Sequence, residues 1–361
     1  MTAPRMPRVE PVRVVVGVDT HKDAHVARAK DGLGRSLDEP RVFPATRKGY
    51  AQLLEWARSL GELDTVGIEG TGSYGAGLAR YLAASGVTLL EVVRPNRQRR
   101  RRNGKSDPAD ADAAASAVLS GEASGTPKRG DGAVEAIRAL RVARSTAVKA
   151  RTQAINALKA LLVTAPAELR ERLEGELSSA HLVAACARLR PGRVTDPVSA
   201  TKAALVSLAR RYQDLTEEAQ TLGTELDRLT ELAAPKLRAR YGVGPDVAAA
   251  LLIAAGDNPE RLRSEAAFSM LCGSSPVEAS SGKVTRHRLN RAGDRQANAA
   301  LYRVVLVRLR WHEPTKAYLA RRVAEGKSKK EAIRCLKRYV AREVFRVLQE
   351  MKQAVADAEA A

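Results

Sequence analysis

The sequence predicts an α/β domain followed by two mostly helical segments, and three observations predict it. Residues 12–19 (VRVVVGVD) form a β-branched run of the kind that buried strands carry. Strand-like runs recur at 24–30, 41–44, 65–69 and 87–93, the later ones alternating with helical patterns. Beyond residue 132 the strand signal disappears and apolar residues recur at helical spacing. The expected division is an α/β domain over 11–125, a coiled-coil helical segment over 130–234, and a mostly α domain over 235–361.

In order, the run at 12–19 is a buried strand, and 24–30 is its partner, closed by the turn signal Asp31-Gly32. Residues 41–44 read as a short third strand. Leu53, Leu54, Trp56, Ala57 and Leu60 mark a helix over 48–60 that Gly61 stops. A strand at 65–69, a helix at 74–85 ending at Gly86, a strand at 87–93 and a helix from Pro108 to about Ser120 complete the domain. Three strands, then alternating helices and strands, describe a hairpin-led sheet whose later strands run parallel. Asp19 and Glu69 end two of these strands, and ligands of open α/β sheets gather at strand carboxyl ends.

The segment from 132 to 162 is helical throughout. A second long helix over 201–233 carries Leu208, Leu215, Leu222 and Leu229 at the seven-residue spacing of a coiled-coil seam. With short helices between them (167–189), the two long helices predict an antiparallel hairpin that serves as a dimerisation element or a spacer. Pro235 opens the last domain. Tyr241-Gly242-Val243-Gly244-Pro245 reads as a helix-hairpin-helix-like turn, with Gly242 and Gly244 letting backbone N–H groups approach a phosphate, or as an ordinary Gly-rich turn between helices. A loop follows at 272–282. From 283 to 310 there are eight Lys and Arg against one acid, and 321–346 reads as basic helix.

A chain of 361 residues with 44% hydrophobic content is long enough for two or three cored domains. Its net charge of +20 and pI near 10.3 point to a polyanion, with nucleic acid ahead of a ribosomal or membrane-surface role. The aromatic share, 4%, argues against a base-stacking single-strand platform. Cys186, Cys272 and Cys335 are too far apart for a metal knuckle or a disulfide framework, which fits a reducing cytosol. No secretory signal is expected in residues 1–10, and no apolar run is long enough to span a membrane.

The chemistry centres on Lys105-Ser106-Asp107-Pro108-Ala109-Asp110-Ala111-Asp112, which follows a basic arm containing Arg97, Arg99, Arg100, Arg101 and Arg102. With Pro108 at the first helical position, Asp107 falls at the N-cap, and Asp110 lies on the same face of the first turn. Two readings stand. The acids cap the helix and complement its dipole, or they join Asp19 and Glu69 to hold a divalent cation against a phosphate backbone. His21 and His25 lie close after Asp19, as site residues or as ordinary polar residues at a strand end.

Several motifs carry a resemblance. They are Gly17-Val18-Asp19-Thr20-His21-Lys22-Asp23-Ala24-His25, Gly67-Ile68-Glu69-Gly70-Thr71-Gly72 and Lys105-Ser106-Asp107-Pro108-Ala109-Asp110-Ala111. In the C-terminal half they are Gly242-Val243-Gly244-Pro245, Leu271-Cys272-Gly273-Ser274-Ser275-Pro276 and Ser280-Ser281-Gly282-Lys283, followed by Arg291-Ala292-Gly293-Asp294. In order and spacing the chain resembles the DEDD-type insertion-sequence transposases, relatives of the Piv-type DNA invertases, over nearly its whole length after residue 10. Where that family carries a basic Lys-Arg-Gly type signature, this chain has Asn290-Arg291-Ala292-Gly293-Asp294.

The resemblance implies an RNase H-like (RuvC-like) N-terminal domain, a coiled-coil insertion and a C-terminal transposase domain. It implies a recombinase acting on donor and target DNA, guided by a structured bridge RNA and working as a dimer or tetramer whose sites combine protomers. Carried across, the acidic tetrad is Asp19, Glu69, Asp107 and Asp110, and the nucleophile is the serine preceding a glycine, Ser281, with Ser280 as the adjacent alternative. Clustered carboxylates select Mg²⁺ or Mn²⁺. The basic arm, Lys105, Lys283, Arg286, Arg288 and Arg291 are expected to contact nucleic acid. A RuvC-like nuclease using the same acids without a covalent serine, and a non-catalytic scaffold, are the rival readings.

Overall fold

Val14, Val16 and Val18 alternate along a strand whose residues 14–19 are all buried, so both faces of that strand are covered. This strand is β1 (Arg13–Thr20), at the centre of a mixed sheet. A computed structural model describes residues 12–92, 106–123, 125–175, 178–258, 261–284 and 286–360. The chain divides into two units, Met1–Gly132 with Ala255–Ser264, and Ala133–Ala254 with Glu265–Ala361.

In the first unit, β2 (Ala24–Asp31) pairs antiparallel with β1, and β3 (Arg41–Pro44) pairs antiparallel with β2. After α1 (Arg47–Ser59), the strand β4 (Glu62–Glu69) joins β1 in parallel, with Val18 beside Ile68. α2 (Ala76–Ala84) and β5 (Thr88–Val92) continue the parallel half, giving the order β3-β2-β1-β4-β5. The even-numbered residues of β1 pack with Leu53, Trp56, Ile68, Leu78 and Leu82 against α1 and α2. Each fully buried aliphatic side chain there contributes about 1.5–3 kcal/mol.

The other sheet face receives α3 (Asp107–Leu119). Its approach is closer than any side chain on β1 would permit. A Cβ on Gly17 would lie 2.1 Å from Ala115 N and 2.2 Å from Ala111 O, and one on Gly67 would lie 2.5 Å from Val118 Cγ2. Buried Lys30 pins the far end of α3, its Nζ 2.9 Å from both Ser116 Oγ and Asp112 Oδ1. Because Lys30 pairs with Val15, α3 runs antiparallel to β1 and brings its first turn to the end of β1.

Ten residues from the C-terminal half belong to this first unit. Asn258 accepts from Arg129 N–H at 3.0 Å and donates to Pro127 O at 3.0 Å. Arg261 donates from Nε to Thr126 O at 3.0 Å, and its guanidinium lies 3.8 Å from Glu91. Thr71, in the loop after Glu69, donates to that same Glu91 at 2.7 Å.

The second unit is helical apart from one short hairpin. α4 (Ala133–Val163) runs out, α5 (Ala167–Glu174) and α6 (Ser179–Ala187) turn the chain, and α7 (Pro197–Ala233) returns antiparallel. Asp196 caps α7, accepting from Val198 N–H and Ser199 N–H. The buried residues of α7 include Leu205, Ala209, Ala219, Leu226 and Thr230, whereas Leu208, Leu215, Leu222 and Leu229 are half-buried on its flank. Small Ala209 and Ala219 let the partner helix come close, a preference that leucine spacing alone does not reveal.

Next come α8 (Pro235–Arg238), α9 (Pro245–Ala255) and α10 (Glu265–Leu271), then the hairpin of β6 (Val277–Glu278) and β7 (His287–Arg288). α11 (Arg295–Trp311), α12 (Glu313–Ala324) and α13 (Lys329–Ala360) complete the chain. The basic stretch over 321–346 is helical, as expected, and is divided between two helices where Gly326 takes φ 87°. Burial pushes the Asp246 carboxyl up, but Arg303 and Arg141 outweigh it and hold that group below its usual range. The motif glycines also touch, since a Cβ on Gly293 would lie 2.2 Å from Gly273 N. Among the described residues no helix is long and apolar enough to cross a membrane.

The seat of α3 yields a direct contrast. Gly17→Ala should lower stability by about 3 kcal/mol by prying α3 from the sheet. Gly72→Ala should cost under about 1 kcal/mol, because a Cβ there meets nothing within 4 Å. Denaturant melts of the two variants check this.

Candidate active site

The end of β1 turns sharply, with His21 N–H bonded to Ala24 O at 3.1 Å, and this aims His21 back over the strand end. His21 Nε2 lies 3.1 Å from Asp19 Oδ2 and 3.4 Å from Asp107 Oδ1. One nitrogen thus sits between two carboxylates from opposite ends of the sequence motif set. Ligand atoms of Asp19, His21 and Asp107 lie within 4.8 Å of one another, the one such group among the described residues.

Asp19 is buried and Asp110 is 6% exposed, whereas the Asp107 and His21 side chains are 51% and 48% exposed, so the cluster opens to solvent on the α3 side. Burial pushes the Asp19 carboxyl above its ordinary range. His21 opposes the shift, and the negative charges of Asp110 and Asp107 reinforce it. Oxygen donors with one imidazole, crowded enough to penalise ionisation, fit a hard divalent cation. Glu69 ends β4 one residue beyond the Val18–Ile68 pair, and alternation puts it on the face of Gly67, where α3 lies. Its backbone carbonyl accepts from Thr20 Oγ1 at 2.8 Å. Glu69 and Asp110 stand outside the tight group of three.

The motif's three aspartates divide. Asp107 and Asp110 act electrostatically on Asp19, whereas Asp112 pairs with Lys30 at 2.9 Å and Arg28 at 3.7 Å. The N-cap of α3 is Ser106, so Asp107 lies one residue inside the helix rather than at the expected cap, and the cap makes no side-chain hydrogen bond. The Asp107 carboxylate is therefore not consumed by its own helix. His25 is fully buried and stacked on Tyr50 at 5.7 Å, and among the described residues neither ring nitrogen has a hydrogen-bond partner, which makes it a core residue.

In the second unit, the β6–β7 hairpin carries both serines. Gly282 turns the tip at φ 56°, and no other residue of the turn has positive φ, the arrangement of a type II′ turn. Ser281 and Val284 exchange backbone hydrogen bonds at 3.1 Å. The two hydroxyls differ. Ser280 Oγ accepts from Arg286 N–H at 3.0 Å, whereas Ser281 Oγ is exposed and makes no hydrogen bond among the described residues. Lys283, Arg286, Arg288 and Arg291 surround the hairpin, all exposed and, among the described residues, without an ion-pair partner.

At the expected helix-hairpin-helix-like turn, Gly242 faces α11, its would-be Cβ 3.4 Å from Val304 O, while a Cβ on Gly244 would meet open space. Of the two glycines, Gly244 alone leaves room for a phosphate. Arg97, Arg99, Arg100, Arg101, Arg102 and Lys105 lie outside the described residues. Sequence reading missed the tie from Arg261 through Glu91 to Thr71, which no local pattern signals across some 170 residues.

Two family models match the chain. One, a DEDD transposase model of the IS110 type described as "Transposase", covers residues 16–165. The other, "Transposase IS116/IS110/IS902 family", covers residues 234–320. No curated protein matches. These matches show DEDD transposase domains, the class of DNA-cutting and rejoining enzymes. Within that class, the chain carries both domains of the IS110-family transposases, with an acidic metal-binding site in the first.

Ionised Asp19 is disfavoured in the folded protein, so its charge costs stability at neutral pH when no cation is bound. Asp19→Asn should therefore raise the melting temperature in chelator by a few degrees. It should also abolish the rise that millimolar Mg²⁺ or Mn²⁺ gives the wild type, as read by calorimetry.

Proposed function

We propose that the protein is an insertion-sequence recombinase that joins Ser281 covalently to DNA during strand exchange. In this reading Asp19, Glu69, Asp107 and Asp110 form the acidic tetrad of an RNase H-like domain that holds Mg²⁺ or Mn²⁺. When bound, the cation supplies Lewis-acid polarisation of the scissile phosphate. The observation that carries the reading is the convergence of Asp19, Asp107 and Asp110 from β1 and α3 in a domain matched by a DEDD transposase model.

Ser281 supports the covalent step because its hydroxyl makes no hydrogen bond among the described residues, while that of Ser280 is engaged. In that step Ser281 Oγ attacks phosphorus, a phosphoserine bond forms, and one deoxyribose P–O bond breaks. The serine proton departs as the freed sugar oxygen gains one. The phosphoester is conserved, so attack by another sugar hydroxyl rejoins a strand without a nucleotide cofactor. Lys283, Arg286, Arg288 and Arg291 hold backbone phosphates around the hairpin, and Gly244 offers a further phosphate contact. Acids and serine reside in separate units, which suits a dimer or tetramer combining protomers. The surplus of positive charge serves both DNA and a structured guide RNA in the cytosol.

Asp107→Ala and Ser281→Ala should each abolish recombination of a plasmid substrate while leaving nucleic-acid binding intact, and Ser280→Ala should retain recombination. A denaturation-resistant protein–DNA adduct should form with the wild type and vanish with Ser281→Ala. Recombination that survives Ser281→Ala contradicts the covalent step and leaves a nuclease-type reaction. Replacing Arg97, Arg99, Arg100, Arg101 and Arg102 with glutamine should weaken binding and make its salt dependence shallower, by about 0.7–0.9 log units of slope per lost phosphate contact.

A further inference from the structure

The second unit holds a cavity of about 870 Å³ between the base of the β6–β7 hairpin and helices α12 and α13. That volume falls in the range of sites for nucleotide-sized ligands. Eight Lys and Arg side chains line it, with Glu331 as the one carboxylate among the lining residues. From behind, Glu265 pairs with Arg338 and Arg342, and Glu325 pairs with Arg321 and Arg322. Cations still outnumber these carboxylates eight to three, and Arg288 and Lys327 make no ion pair among the described residues. Such a surplus on concave walls is costly unless a polyanion compensates it.

Two rings stand within this cationic wall. Tyr318 and Tyr339 meet edge to face, with centroids 5.6 Å apart and planes at 84°, and Tyr339 is 50% exposed. Tyr339 and Arg342 also line a second cavity of about 520 Å³, together with Arg240, Arg346, Glu343 and Glu350. Tyr339 therefore borders both cavities, half-exposed, with the Arg342 guanidinium 5.7 Å from its ring centroid. The low aromatic share of the whole chain conceals this local concentration.

Phosphate alone would use the cations and ignore the ring. A duplex keeps its base faces stacked and has none to offer Tyr339. An unpaired nucleotide satisfies both, with its base on the ring and its phosphates on the flanking cations. We propose that this cavity binds single-stranded nucleic acid, one unpaired base stacking on Tyr339 and its neighbouring phosphates held by Arg288, Lys327 and Arg334. The site lies beside the base of the Ser281 hairpin, so it positions an opened strand rather than performing chemistry. It rests on the nucleic-acid part of the proposed function and adds a separate grip for unpaired strand.

The test uses the full chain in chelator, so that the acidic cluster plays no part, with a short oligothymidylate carrying one iodouracil. Photocross-linking should map to Tyr339 or Tyr318. Tyr339→Leu should weaken single-strand binding roughly tenfold and leave duplex binding unchanged, while Tyr339→Phe binds as the wild type. Thermal melts establish that both variants fold. A cross-link outside the cavity, or wild-type binding by Tyr339→Leu, overturns the proposal. The two readings fail separately: loss of recombination in Asp107→Ala with no Tyr339 effect removes only the cavity site, whereas a Tyr339 effect with recombination surviving Asp107→Ala removes the active-site assignment.

Discussion

The first unit depends on how closely α3 lies against the sheet. Gly17 and Gly67 provide a floor without side chains: the backbone of α3 occupies the space a Cβ on Gly17 would take, and the Val118 side chain that of one on Gly67. This seat sets the height and direction of the helix, and hence where its first turn ends. Asp107 and Asp110 arrive beside Asp19 because the helix is held down two turns further along. An acidic cluster built this way has no freedom to spread, so like charges stay together and burial disfavours the ionised form of Asp19.

The chain treats its acids in two ways. Asp112, Asp246 and Glu265 each meet Lys or Arg side chains that fold against them, and they act as structural clamps. Among the described residues, Asp19 and Asp107 share an imidazole, half-exposed, between them. The cations divide likewise. Those near Asp246 are paired, those around the Ser281 hairpin have no ion-pair partner among the described residues, and those lining the cavity behind it outnumber the carboxylates they meet.

Much of this was legible in residue order. The β-branched run, the turn at Asp31-Gly32 and the glycine stops placed each strand and helix of the first unit within a few residues. Asp19 and Glu69 were readable as strand-end acids because each closes a β-branched run. What was not legible depends on atoms rather than spacing. The leucine row on α7 was visible, but small Ala209 and Ala219 lie in the buried contact. Asp107 missed the N-cap by one residue, a difference that leaves its carboxylate available. His21 lies between the acids only because the chain doubles back after Thr20. The tie of Ala255–Ser264 to the first unit rests on Asn258 and Arg261, isolated polar residues that no motif marks.

The central claim is that Asp19 and Asp107 converge to hold a divalent cation. Anomalous diffraction from crystals grown with Mn²⁺ tests it most directly. The account predicts a peak bounded by the carboxylates of Asp19 and Asp107, lost in Asp107→Ala. Manganese bound elsewhere, with His21 still bridging those two carboxylates at saturating metal, would contradict it.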